Sequence, residues 1–261
     1  MKISSLLEKV RQQKPLIHHI TNWVTIYDCA NIVKVLGASP VMAHAPEEAA
    51  EMTGIADALV LNIGTLTNEL IKVMIIAAMR ANKKNIPIVL DVCGAGATKF
   101  RDEKIVELLD HAKINIIKGN ASEIARVAGI DVCTKGVDST EVYADLILVA
   151  QNLAVQRECV VVVTGEIDII VSKDKCFKVK NGNKMMSQVV GTGCMAASVI
   201  GTFAAVGDDL AEAACAGLCA YEIAAEQAAA LASGPGTFKE RLFDCLCCLD
   251  SATVDAAQRV E

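Results

Sequence analysis

Aromatic residues are scarce in this chain. Three Tyr, one Trp and five Phe make up 3% of its 261 residues. The core therefore has to come from aliphatic sheet and tightly packed Ala-rich helices. Excess positive charge is missing as well. The formal net charge is -6, the pI is about 5.3, and no basic block offsets it. That excludes a sequence-independent nucleic-acid binder, whose affinity comes from neutralising phosphates. No export signal develops, because MKISSLLEKVRQQKP breaks its apolar residues with charge after Leu7. No membrane span is long enough either. The longest uncharged stretch is 185–207, and its apolar part, 194–206, is too short to cross a bilayer. A cytoplasmic protein with no membrane and no nucleic-acid partner is expected. A Walker-type phosphate loop is absent too, since no GK[ST] occurs and 94–99 has the wrong spacing.

What is present is a globular composition, 53% hydrophobic and 21% charged. Eleven cysteines are many. Without an export signal they do not imply a disulfide framework. Cys245, Cys247 and Cys248 contain a CxxC, but no second ligand pair follows, so core packing is the expectation for that cluster.

Short apolar runs and helical patterns alternate. Strands are expected at 16–20, 40–44, 58–63, 87–92, 115–118, 160–164 and 169–172, with 177–179 as a hairpin partner. Helices are expected at 27–36, 69–82, 102–112, 122–128 and 140–157, and the chain reads as helix from Gly193 to the end. This alternation predicts right-handed βαβ units and a mostly parallel sheet, with an antiparallel edge where turn residues punctuate 165–182. No linker or repeat divides the chain, so one domain over 1–261 is expected.

Open parallel sheets bind ligands beyond the carboxyl ends of their strands. Thr21, Asn22, Met42, Asn62, Gly64, Asp91, Lys118, Asn120 and Thr164 all fall there. In QVVGTGCMAASVIGTF, Gly191-Thr192-Gly193 precedes a helix. Its free N–H groups and dipole would form an anion hole, and glycine lets an anion approach the backbone. The same residues loosely match a dinucleotide fingerprint, but they open a helical tail and no βαβ unit. Asp91, beside the glycines of 94–96, reads either as a magnesium-organising carboxylate or as a turn cap. Glu123 reads either as its partner or as a first-turn carboxylate.

Taken together, the motifs resemble the hydroxyethylthiazole kinase family of the ribokinase-like superfamily. They are ITN at 20–22, GASPVMAHAPEE at 37–48, ALVLNIGTL at 58–66, GAGAT at 94–98, GNASEIA at 119–125, KGVD at 135–138, TGEID at 164–168, GTGC at 191–194 and GPGTF at 234–238. The resemblance implies a three-layer α/β sandwich. It also implies phosphoryl transfer from ATP to 4-methyl-5-(2-hydroxyethyl)thiazole with Mg²⁺, for thiamine biosynthesis. The family is homotrimeric, with active sites where subunits meet. By resemblance, Met42, Gly191 and Asn22 lie on the substrate side, and Lys118, Thr164 and Asn120 on the ATP side. Asp91 and Glu123 match the acidic pair near magnesium. Cys194, with Gly193 and Thr192, occupies the catalytic position, where most of the superfamily has Asp.

Three departures stand out. Lys118 replaces the family's usual Arg, which implies weaker nucleotide affinity, because an ammonium lacks the guanidinium fork. The usual Asp-Pro-Val-Gly is Asp91-Val92-Cys93-Gly94, which implies a more mobile loop. Trp23 replaces a second Asn after ITN; it either stacks on the thiazole or packs in the core, and core packing is the expectation. Two other readings use the same fold: a pyridoxal or hydroxymethylpyrimidine kinase or a nicotinamide-nucleotide-hydrate dehydratase, and a silent thiazole sensor. The first group usually keeps Asp where this chain has Cys194.

Overall fold

Runs such as ALVLN at 58–62 are apolar on both faces, so they are stable only with helices above and below the sheet. The computed structural model describes residues 3–130 and 140–261; the KGVD motif at 135–138 lies outside them. The chain order is α1 (Ile3–Gln13), β1 (Leu16–Ile20), α2 (Ile26–Val35), β2 (Ser39–Val41), α3 (Ala49–Ile55), β3 (Ala58–Asn62), α4 (Asn68–Lys84), β4 (Ile88–Asp91), α5 (Lys99–His111), β5 (Ile116–Asn120), α6 (Ala121–Val127), α7 (Thr140–Arg157), β6 (Val160–Thr164), β7 (Asp168–Val171), β8 (Cys176–Val179), α8 (Thr192–Ala204), α9 (Leu210–Leu231), α10 (Pro235–Cys248) and α11 (Ser251–Ala257). A 3₁₀ turn, Lys184–Gln188, leads into α8.

One eight-stranded sheet runs β2-β1-β3-β4-β5-β6-β7-β8. Pairings are parallel from β2 to β6, and β7 and β8 add the expected antiparallel edge. Alternate side chains divide between two cores. Ile17, Val60 and Val89 meet α1, α2, α8, α9, α10 and α11. Leu59, Leu61 and Leu90 meet the layer of α3 to α7. The result is a three-layer α/β sandwich. Helix α8 crosses β3 and β4, and its approach depends on Gly201, where an added Cβ would sit 2.4 Å from Val60 Cγ2.

Several expectations need correction. The run expected as strand at 40–44 pairs only over Ser39–Val41, leaving Met42 in the following loop. Helix α3 was not foreseen; AAEMTGI carries Thr53 and Gly54, both weak helix formers. Of the CxxC cluster only Cys245 is buried, while Cys247 and Cys248 are exposed. Trp23 is 57% exposed, and its ring lies against His44 with centroids 4.8 Å apart, so it is not a core residue. Among the described residues no helix is long and apolar enough to cross a membrane.

Two buried histidines fasten β1 to the elements around it. His18 contacts Thr53 Oγ1 at 2.9 Å and the Ala43 carbonyl at 2.8 Å. His19 contacts Ser198 Oγ of α8 at 3.1 Å and the Ile17 carbonyl at 3.2 Å. Burial lowers the pKa of His18, and it pushes His19 down to about 3. Between about 3 and 6.5 the unfolded chain binds a proton at His19 that the folded one refuses. Stability from this group is therefore full above pH 6.5 and falls as the pH falls, by about 2 kcal/mol at pH 5. Urea unfolding at pH 7 and pH 5 checks this: wild type should lose more stability on acidification than His19→Asn. Equal slopes in the two proteins would contradict it.

Candidate active site

Parallel pairing places three side chains at adjacent strand ends: Asn62 faces Asp91 in register, and Asp91 faces Lys118. All three are buried. Asp91 Oδ2 accepts from Asn62 Nδ2 at 2.8 Å and from Lys118 Nζ at 3.3 Å. Its other oxygen, Oδ1, is buried without a hydrogen-bond partner. Burial pushes the Asp91 carboxyl up to about 7, with the Lys118 charge pulling against it. Burial also disfavours the Lys118 ammonium, but Asp91, Glu123 and Cys194 outweigh it and hold its pKa above the usual value. The two shifts pull opposite ways, and the 3.3 Å contact with an ammonium held in its charged form favours the ionised carboxylate.

Asn22 extends this chain of contacts. Its Nδ2 donates to Asn62 Oδ1 at 2.9 Å and to Cys194 Sγ at 3.3 Å. Its Oδ1 accepts from the Val24 and Thr25 N–H groups and the Thr25 hydroxyl, each at 3.1 Å. Asn62 Nδ2 also reaches Cys194 Sγ at 3.3 Å. Contact with the Cys93 thiol, opposed by burial and aided by Thr25, Lys118 and Asn22, brings Cys194 down to about 5. Neighbouring donors and the Lys118 charge, set against burial, are what favour its thiolate.

Cys194 lies in the first turn of α8, whose cap is Gly191 at φ 96° with no capping side chain. The first N–H groups of α8 are thus free of side-chain acceptors and face the strand ends. A Cβ on Gly191 would lie 2.7 Å from Thr25 Cγ2, and one on Gly193 3.2 Å from Lys118 Nζ. Two cavities meet at this loop, sharing Asn120, Thr164 and Gly193. The smaller, of about 390 Å³, is lined by Asn22, Thr25, Gly64, Asp91, Lys118, Gly191 and Cys194, among others. The larger, of about 880 Å³, is lined by Thr192, Gly193, Ile167, Met186, Leu218, Asp168 and Glu222, among others. Met42 lines neither of them.

Glu123 sits beneath the glycine loop. Its Oε1 accepts the Gly94 N–H at 2.8 Å, and its Oε2 closes a capping box on Asn120 at 2.7 Å. Both carboxylate oxygens are thus engaged by backbone N–H groups, as the first-turn reading expects, and the side chain also lines the smaller cavity. The Asp91 loop is tied down, against the mobility implied by its missing proline. Val92 N–H donates to the Lys118 carbonyl at 2.9 Å. Arg101 Nη1 donates to the Cys93 carbonyl at 3.0 Å and the Ile63 carbonyl at 2.9 Å, and its Nη2 to the Gly64 carbonyl at 2.8 Å. Sequence reasoning assigned no role to Arg101, Cys93 or Thr25, and it noted Asn62 only as one of several strand-end polar residues. The recurrence of polar side chains at strand ends was the available signal for Asn62; Arg101 gave none.

The chain matches the model of the hydroxyethylthiazole kinase family over residues 7–252. It is 54% identical over 255 residues to the hydroxyethylthiazole kinase of Methanosarcina mazei, covering 98% of each chain. The structure superposes on that of a hydroxyethylthiazole kinase protein from Pyrococcus horikoshii with a TM-score of 0.91 at 38% identity, covering 99% of this chain and 98% of the other. A ribokinase-like superfamily protein from Enterococcus faecalis, at 12% identity and a TM-score of 0.65 over 93% of both chains, shares the fold. A sheet with its polar residues gathered at one end, a glycine-capped helix above them and a relationship spanning nearly the whole length agree: the chain belongs to the hydroxyethylthiazole kinase family.

Proposed function

We propose that the protein transfers the γ-phosphoryl group of ATP to the hydroxyl of 4-methyl-5-(2-hydroxyethyl)thiazole, the salvage step that returns the thiazole to thiamine synthesis. The observation that carries this reading is the meeting of two cavities at the glycine-capped start of α8, beside the Asp91–Lys118 pair. The larger cavity suits a nucleotide, with Thr164 and Asn120 where it joins the smaller one. The smaller suits the alcohol, whose hydroxyl would approach Cys194 past Asn22 and Gly191. The whole chain acts as one kinase domain in this reading, supported by its single continuous sheet.

Phosphoryl transfer asks the protein mainly for positioning and for stabilising charge. The free N–H groups of α8 and the Lys118 ammonium are placed for the phosphoryl oxygens. Cys194 Sγ takes up the alcohol's proton as transfer completes. Asp91 Oδ1, a buried carboxylate oxygen without a partner, fits a cation site, and Glu123 faces the same cavity. Mg²⁺ takes few protein ligands beside phosphate oxygens and water, so Asp91 and Glu123 are the residues that would hold it. An ion held there would supply neutralisation of phosphate charge and a fixed orientation for the nucleotide.

A homotrimer with sites between subunits is part of this reading. Trp23, Val24, Tyr27 and Val190 are between 57% and 76% exposed around the smaller cavity, an apolar rim that a second copy would cover. Met42, which lines neither cavity of its own chain, would then serve a neighbour's.

The direct test mixes purified protein, Mg-ATP and the thiazole alcohol. ADP should appear in step with thiazole phosphate, and its absence would refute the reading. Cys194→Ala should lower kcat by roughly 10²-fold or less with the KM for ATP unchanged, as expected of a modest general base. Cys194→Asp should keep or raise kcat. An Ala variant matching wild type from pH 6 to 9 would remove Cys194 from proton transfer. Gly191→Ala meets both an unfavourable φ, costing about 1–2 kcal/mol, and the Thr25 methyl. A folded variant with normal turnover would overturn the placement of the anion hole. Light scattering should find three copies in wild type and smaller species for Tyr27→Glu; a monomeric, fully active wild type would contradict the shared site.

A further inference from the structure

Tyr221 of α9 is the largest fully buried side chain among the described residues. Its ring fills space that a Phe would fill as well. The hydroxyl adds one thing, a hydrogen bond donated at 3.1 Å to the Thr192 carbonyl in the first turn of α8. Burial raises the Tyr221 pKa well above its usual value, so the group stays a neutral donor. Thr192 is held from a second side. Its Oγ1 donates to the Met186 carbonyl at 3.0 Å and lies 3.3 Å from the Val189 carbonyl. The single proton of that hydroxyl is therefore directed at the 3₁₀ turn and the residue after it. The side chain and the carbonyl of Thr192 are both tied to scaffold.

The Thr192 carbonyl shares one rigid peptide plane with the Gly193 N–H, and in a trans peptide the two point opposite ways. Whatever fixes the carbonyl therefore aims the N–H. The first bond of the α8 ladder runs from the Met195 N–H to the Gly191 carbonyl at 2.8 Å. That leaves the Thr192, Gly193 and Cys194 N–H groups outside the ladder, pointing out of the helix start. Gly193 lines both cavities. Its plane needs outside support. Glycine has no Cβ to restrict its torsions, and no side chain caps this helix. A donor on the carbonyl also polarises the peptide, which makes its N–H a stronger donor to negative charge. Tyr221 thus reaches the anion hole from behind, through the backbone.

We propose that Tyr221 is a positioning residue, whose hydroxyl sets the direction of the Gly193 N–H toward the transferring phosphoryl group. This rests on the glycine-capped start of α8 being the anion hole of the proposed kinase. The test compares steady-state kinetics and thermal unfolding of two variants. Tyr221→Phe keeps the ring and loses the donor. Leu246→Ala opens a cavity in the same core, far along the chain from the glycine loop. Tyr221→Phe should lose about tenfold in kcat, less than the roughly 10²–10³-fold that follows outright loss of such a donor, with both KM values within about twofold of wild type. Leu246→Ala should unfold at a lower temperature and keep its kcat where it is folded. A folded Tyr221→Phe with wild-type kcat would overturn the proposal and leave the kinase reading standing. So would a kcat that falls in both variants in step with their unfolding temperatures, the mark of a structural role. A Tyr221→Phe chain that does not fold would assign the hydroxyl to folding and overturn it as well. If wild type makes no thiazole phosphate, both readings fall.

Discussion

Everything at the site depends on how closely α8 lies on the sheet. Gly201 has room for no side chain against Val60, and Phe203, from the same helix, meets Gly217 of α9, where an added Cβ would be 3.3 Å away. The helix is thus pressed between sheet and outer layer by contacts that a single methyl group would break. Its first turn therefore ends above β3, β4 and β5, and the anion-binding N–H groups, Cys194 and the strand-end carboxylate share one small volume.

Within that volume charge is held in place by amides. Asn22 and Asn62 use their donors on a thiol and a carboxylate and their acceptors on backbone N–H groups and one another. Each side chain is fixed by at least two partners, so little reorganisation is left for the moment when phosphate charge arrives. Lys118 takes part in the same arrangement. Its contact with Asp91 and its closeness to Gly193 are made by a long, slender side chain ending in a single nitrogen, in a space a planar guanidinium would fill differently.

The sheet was largely legible in the sequence because its strands are unbroken apolar runs bounded by Gly, Pro and Asn. LIHHI and VVVVT were placed to the residue, as was the backbone range of α7. Strand-end chemistry was legible as a tendency and not as a geometry. Asn62, Asp91 and Lys118 are separated by 29 and 27 residues, and only the register of three strands makes them neighbours. A lone sequence carries no record of register. Tyr221 was hidden for the opposite reason, since the surrounding Ala and Cys residues make α9 read as plain core. Trp23 misled because a large aromatic suggests burial, whereas here it lies at the exposed rim.

Arg101 has a wider consequence. With one guanidinium it joins carbonyls from the end of β3 to one from the loop after β4. A proline would hold that loop through its own covalent torsion; Arg101 holds it from eight positions along the chain. The backbone at Cys93 is thus held by a residue outside the loop. The segments around 63–64 and 91–101 then form one mechanical unit. In recombination between relatives they would be compatible when exchanged together and mismatched when exchanged apart, although no local motif joins them.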